Sequence, residues 1–166
     1  LMASARGALR AYAFQSAHSL SELFASLNLH LVKDTKEGQF LTLFFGILDE
    51  ASTSLSWVSA GHEAALWLKK QEGTIQELPN TGMPLGITPD VEHSLAGPIT
   101  FESGDMVLIS TDGIRETRNP DKEMFGTDRL QGLLKEHAHL QTREICRKIV
   151  SALEDFRRGM VQEDDV

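Results

Sequence analysis

The sequence predicts an α+β domain built on antiparallel sheet, and three observations point there. Between Gln39 and Thr111, runs of branched and aromatic residues follow one another with no helical pattern between them. Consecutive strands of this kind form meanders. Helical periodicity is confined to the ends of the chain. Finally, Met106–Ile109 is a short apolar run set off by Ser103-Gly104-Asp105. That pattern predicts a central strand buried on both faces, Met106–Thr111.

In chain order, Leu1–Phe14 is Ala-rich and predicts a helix with a closely packed face. Ser19 to Glu22 has the form of a capping box. The helix after it aligns Leu20, Leu23, Phe24, Leu27 and Leu31 in one stripe, ending near Lys33-Asp34. Gln39–Asp49 is apolar almost throughout, which predicts a long central strand. Gly46 inside it predicts a bulge or a close backbone approach. Ser54–Ala60 and Ala65–Lys70 are the next strands, separated by the turn Gly61-His62-Glu63. Gln71–Thr74 is a hairpin signal into Ile75–Leu78. Pro79–Asp90 is Gly/Pro-rich and predicts an ordered loop. Val91–Phe101 holds a further strand. Arg118–Lys122 is a loop. Two helices follow, one capped by Thr127 and burying Leu130, Leu133 and Leu134. The other is capped by Thr142 and aligns Ile145, Ile149, Leu153 and Phe156.

The 166 residues suit one domain with a sizeable core. The net charge of -8, with no basic block, argues against nucleic acid as the partner. No apolar window is long enough to span a bilayer, and no signal peptide is seen, so contact with a membrane is not expected. The single Cys146 excludes an internal disulfide and fits a reducing, cytoplasmic compartment. The chain starts on Leu1 inside a helical pattern and stops on Val166 after an Asp pair. It therefore reads as one domain, 1–166, cut at both ends from a longer polypeptide.

Two carboxylate groups carry the candidate chemistry. Asp112-Gly113 stands at the exit of the apolar run, where Gly permits a sharp turn and a packed backbone fixes a carboxylate. An Asp bonding its own turn is the competing reading. Asp164-Asp165 closes the chain after a long helical pattern, and a solvated acidic tail competes there. If the two groups converge, a hard divalent cation is the natural compensation for their repulsion. Arg115 stands three residues past Asp112, within plausible reach of a phosphate. His62 suits a ligand or proton carrier less well than a hydrogen-bonded turn residue. His18, His30, His93, His137 and His139 have no metal-ligand spacing.

Several stretches together resemble one family. They are Phe40–Asp49 (FLTLFFGILD), Trp57–His62 (WVSAGH), Gly82–Ile87 (GMPLGI), Gly104–Glu116 (GDMVLISTDGIRE), Phe125-Gly126 and Gln162–Val166 (QEDDV). In this order they resemble the metal-dependent serine/threonine protein phosphatases of the 2C type. Within these the chain is most similar to the bacterial branch of sporulation protein E and the sigma-B regulator phosphatases. The resemblance covers essentially the whole chain.

The resemblance implies a four-layer α-β-β-α sandwich with two antiparallel sheets. It implies two Mn²⁺ or Mg²⁺ ions bound by aspartates, and hydrolysis of protein phosphoserine or phosphothreonine. Asp112, followed by Gly113, matches the family's D-G metal ligand. Asp164 matches the first Asp of its late pair, and Asp165 is its neighbour. Arg115 and His62 are the candidate substrate-binding residues. The implied substrate is a phosphorylated anti-sigma factor antagonist in a bacterial signalling or stress-response pathway. A fused sensor or receiver domain and a homodimer are further expectations. The family's early D-x-x-G-H-G-like motif does not occur in this chain, so low or no activity is expected of these residues alone. The alternative is a catalytically inactive module that keeps the fold and binds signalling partners.

Overall fold

The computed structural model describes residues 2–13, 20–34 and 38–160. The elements run α1 (Met2–Ala13), α2 (Leu20–Asp34), β1 (Leu43–Asp49), β2 (Ser54–Ala60), β3 (Ala65–Lys69) and β4 (Thr74–Leu78). They continue with β5 (Ala96–Thr100), β6 (Met106–Leu108), α3 (Asp112–Glu116), α4 (Gly126–Glu136) and α5 (Thr142–Arg157). Two antiparallel sheets form, ordered β1-β2-β5 and β4-β3-β6. The chain falls into two compact units, Leu1–His62 with Pro79–Phe101, and Glu63–Leu78 with Glu102–Val166. No helix among the described residues is long and apolar enough to cross a membrane. The cap expected at Ser19 lies outside the described residues.

In the first unit the expected stripe of α2 is the core. Leu23, Phe24, Leu27 and Leu31 pack with Ala5 of α1, Val58 and Ala60 of β2, and Leu85. Pairing sets Leu43 opposite Ala60 and Phe45 opposite Val58, so these four share the face under α2. Phe24 meets Phe45 edge-on, with centroids 6.2 Å apart. Each large side chain of this stripe contributes roughly 1.5–3 kcal/mol by leaving water. On the opposite face Leu55 and Trp57 are also buried, and the Trp57 indole donates to the Pro79 carbonyl at 3.1 Å.

The Gly/Pro-rich loop is ordered, as its composition predicts, and its anchors are specific. Asn28 of α2, fully buried, donates from Nδ2 to the Thr88 carbonyl at 2.8 Å and accepts from the Gly86 N–H at 2.9 Å. Buried His93 donates from Nε2 to the Met83 carbonyl at 2.8 Å and lies against Phe24. Thr81 and Gly82 bond along β2 through Ser59 and Gly61. Gly61 takes a φ of 61°, and a Cβ there would meet Pro84 Cγ at 2.3 Å, so both the turn and the close approach require glycine.

The long strand expected over Gln39–Asp49 is shorter and is not central. β1 begins at Leu43 and is an edge strand of its sheet; Ile47 and Leu48 are exposed. Leu41, Leu43 and Phe45 pack against the core under α2, whereas Phe40, Ile47 and Leu48 of the run are exposed. The central strand is β2, whose serines made it look less apolar. Ser59 is fully buried because its hydroxyl donates to Asn80 Oδ1 at 2.6 Å. Gly46 shows the close approach and not the bulge: pairing with Trp57 is regular, and a Cβ would meet Leu55 Cδ1 at 2.9 Å. The sheet's irregularity falls instead between Leu55 and Trp57, opposite β5.

In the second unit β3 is central and is paired with β4 through the expected hairpin. Leu66 and Leu68 face Leu108 and Met106 across the pairing with β6. Onto them pack Leu130 and Leu134 of α4 and Ile145, Ile149 and Leu153 of α5, with Phe125. Phe156 meets Phe125 edge-on at 5.3 Å.

Three expectations here are corrected. Met106–Thr111 is not a central buried strand: β6 spans three half-buried residues and, among the described residues, pairs only with β3. Alternation explains it, since Met106 and Leu108 face the helices while Ile109 is exposed. Thr142 does not cap α5. Gln141 holds that position with extended backbone, and Glu144 accepts from its N–H at 3.3 Å. Thr127 does not cap α4, which starts at Gly126 after Phe125; its hydroxyl serves Arg115 instead.

Candidate functional site

The candidate residues around Asp112 sit on α3, the five-residue helix that follows β6 and the linking residues Ile109–Thr111. The expected sharp turn at Asp112-Gly113 is therefore a helical turn. Gly113 has no positive φ and is buried, so its small size matters there more than its conformational freedom. Its carbonyl accepts from Thr117 Oγ1 at 2.6 Å, and the Thr117 carbonyl accepts from the Phe125 N–H at 2.8 Å. These bonds tie the end of α3 to the start of α4. Asp112 opens the helix with its carboxylate exposed.

Arg115, one turn further on, forms an ion pair from Nη2 to Glu63 and donates from Nη1 to Thr127 Oγ1 at 3.2 Å. Both members of the ion pair are nearly three-quarters buried, at 28% and 27% exposure. The expectation that Arg115 meets a phosphate therefore has a structural competitor in its own unit. His62 belongs to the other unit, where its Nδ1 lies 3.5 Å from Thr42 Oγ1, the geometry of a turn residue.

Asp164 and Asp165 lie outside the described residues, and so does their expected convergence with Asp112. Among the described residues, no three His, Cys, Asp or Glu side chains are placed to hold a metal ion. Asp112 itself fits such an ion by donor chemistry. It is an exposed, hard anionic oxygen on a turn fixed by Gly113 and Thr117. Sequence reading placed Glu63 in a turn and Thr127 at a helix cap, and nothing in their spacing ties either one to Arg115.

The family model for stage II sporulation protein E (SpoIIE) matches residues 1–166, the whole chain. The chain belongs to the SpoIIE family. Protein IcfG of Synechocystis sp. is 34% identical over 127 residues, 76% of this chain and 20% of IcfG. Phosphoserine phosphatase RsbU of Bacillus subtilis is 26% identical over 144 residues, 87% of this chain and 42% of RsbU. The chain thus spans less than half the length of either relative. Among solved structures, the SiaA-PP2C domain of Pseudomonas aeruginosa superposes with a TM-score of 0.78 at 18% identity, covering 98% of this chain and 63% of that one. The RsbU and RsbW domains of Rv1364c from Mycobacterium tuberculosis give 0.71 at 24% identity, covering 99% and 44%. At these identities the likeness speaks for the fold. This SpoIIE-family chain, with two antiparallel three-stranded sheets and their helices, has the fold of PP2C phosphatase domains.

Proposed function

We propose that this chain forms the phosphatase domain of a protein that hydrolyses phosphoserine or phosphothreonine on a protein substrate. The match of the SpoIIE family model to all 166 residues carries the reading. The name of its relative RsbU, a phosphoserine phosphatase, supports the substrate class. The proposed substrate is an anti-sigma factor antagonist, and the pathway a bacterial sigma-factor response.

Asp112 and Asp164, with Asp165 beside the latter, are the proposed ligands of two Mn²⁺ or Mg²⁺ ions. When bound, such ions supply a nucleophilic water at neutral pH and offset the charge of the phosphoryl group. The chain's own contribution is positional. Gly113 and Thr117 fix the turn that presents Asp112, and the exposed carboxylate is available to a hard cation without breaking a core contact. The net charge of -8 leaves Asp112 in an acidic chain, where a cation relieves repulsion among carboxylates.

The test uses the full-length protein and a phosphoserine-containing anti-sigma factor antagonist. Phosphate release that requires Mn²⁺ and stops with EDTA supports the enzyme. Stable binding of that partner without release, at any Mn²⁺ concentration, supports the non-catalytic module and sinks the enzymatic reading.

A further inference from the structure

We infer that Arg115 is a positioning residue, which fixes α3 and with it Asp112, and is not a binder of the substrate phosphate. The role of Asp112 as a metal ligand rests on the reading above; the lock on α3 rests on geometry alone. A guanidinium grips a phosphate through two parallel N–H donors. In Arg115 each terminal nitrogen already holds one partner, Nη2 pairing with Glu63 and Nη1 donating to Thr127, so the fork is oriented by its own unit. Nε is buried with no acceptor among the described residues.

The two partners stand on well-packed elements. Glu63 lies just before β3, the central strand of its sheet, and Thr127 lies in the first turn of α4, held by buried Leu130 and Leu134. Helix α3 has only five residues, too few to be stable by its own hydrogen bonds. Its rigidity must come from such ties, and Arg115 supplies a charged one within one helical turn of Asp112. Residues that orient a metal ligand typically change metal affinity by about 10- to 100-fold when removed.

The experiment compares wild type, R115A, E63A and the double variant of the full-length protein. Mn²⁺ alone is titrated calorimetrically, hydrogen exchange is followed over residues 112–117, and KM for the phosphoprotein is measured at saturating Mn²⁺. Each single variant should weaken Mn²⁺ binding at least about tenfold and speed exchange in α3. KM should stay within about twofold, and the double variant should be no worse than R115A, which already removes the tie to Glu63 along with the one to Thr127. R115K, which keeps the charge but not the fork, should also weaken Mn²⁺ binding. If R115A does not fold, R115K and E63Q carry the same readings. A rise in KM of about tenfold for R115A, with Mn²⁺ affinity and α3 exchange at wild-type values, would overturn the inference in favour of phosphate binding. Wild-type protein that binds no Mn²⁺ defeats the phosphatase reading instead. The lock is then decided by exchange, and unchanged α3 protection in both R115A and E63A refutes it.

Discussion

Asn28 shows how a single polar residue can set the shape of a unit. It sits on the buried face of α2 beside Leu27 and Leu31, where an apolar side chain would be the plain expectation. Its amide instead closes two backbone groups of the loop at Gly86 and Thr88. Asn28→Ala should therefore cost about 2–3 kcal/mol in urea unfolding, through stranded donors and acceptors as much as lost volume. Wild-type stability in that variant would refute the anchoring role. Asp49 is a weaker, titratable case at the β1–β2 turn. Hydrogen bonds from the Ser52 side chain, then the Ala51 and Ser52 N–H groups, hold its pKa below the ordinary carboxylate range. A carboxyl with a lowered folded pKa stabilises above its unfolded value, and that contribution fades as pH falls through the folded one. Asp49→Asn should make the acid-side loss of stability below about pH 4 shallower, a small effect because the group is exposed. An unchanged slope would remove Asp49 from the acid response. Neither role was legible beforehand, since a polar side chain's partner lies far off in sequence or depends on the detail of a turn.

Elements were read more surely than their neighbours. The sequence marks Ser54–Ala60 as a strand and the structure gives the same bounds; the β3–β4 hairpin and the stripes of α2 and α5 also match. Periodicity and turn residues act locally, so they survive without tertiary knowledge. Rank within a sheet does not. Apolar runs made β1 and β6 look central, yet the buried middle strands are β2 and β3. Small Ser59, buried through its bond to Asn80, served β2 better than the bulk of β1. Helix starts failed for a related reason: Thr127 was taken as a cap, but its hydroxyl is committed to Arg115. At α5 the distinction is testable. Glu144→Ala should lower stability by about 0.5–1 kcal/mol by removing the acceptor for the Gln141 N–H, while Thr142→Ala should be nearly neutral. Thermal unfolding of the two variants decides it, and the reverse order would restore Thr142 as the cap.

At the scale of the molecule, the fold class was legible because an ordered set of short motifs runs the length of the chain, and the family match covers the same 166 residues. The candidate site was legible only in part. Asp112 was singled out from a D-G pair after an apolar run, and the structure sets it on a short helix and not at a strand's mouth. Arg115 was noticed, but its engagement by Glu63 and Thr127, read as turn and cap residues, was not. The central claim is that Asp112 works as an anionic ligand and not as a structural turn residue. Asp112→Asn in the full-length protein keeps the side chain's size and removes its charge, so it separates these roles. Mn²⁺-dependent phosphate release from a phosphoserine protein, measured on a variant shown to be folded by circular dichroism, should fall to background. Asp164→Asn should behave alike, with Asp165→Asn milder. Wild-type phosphate release by the folded Asp112→Asn protein would contradict the account.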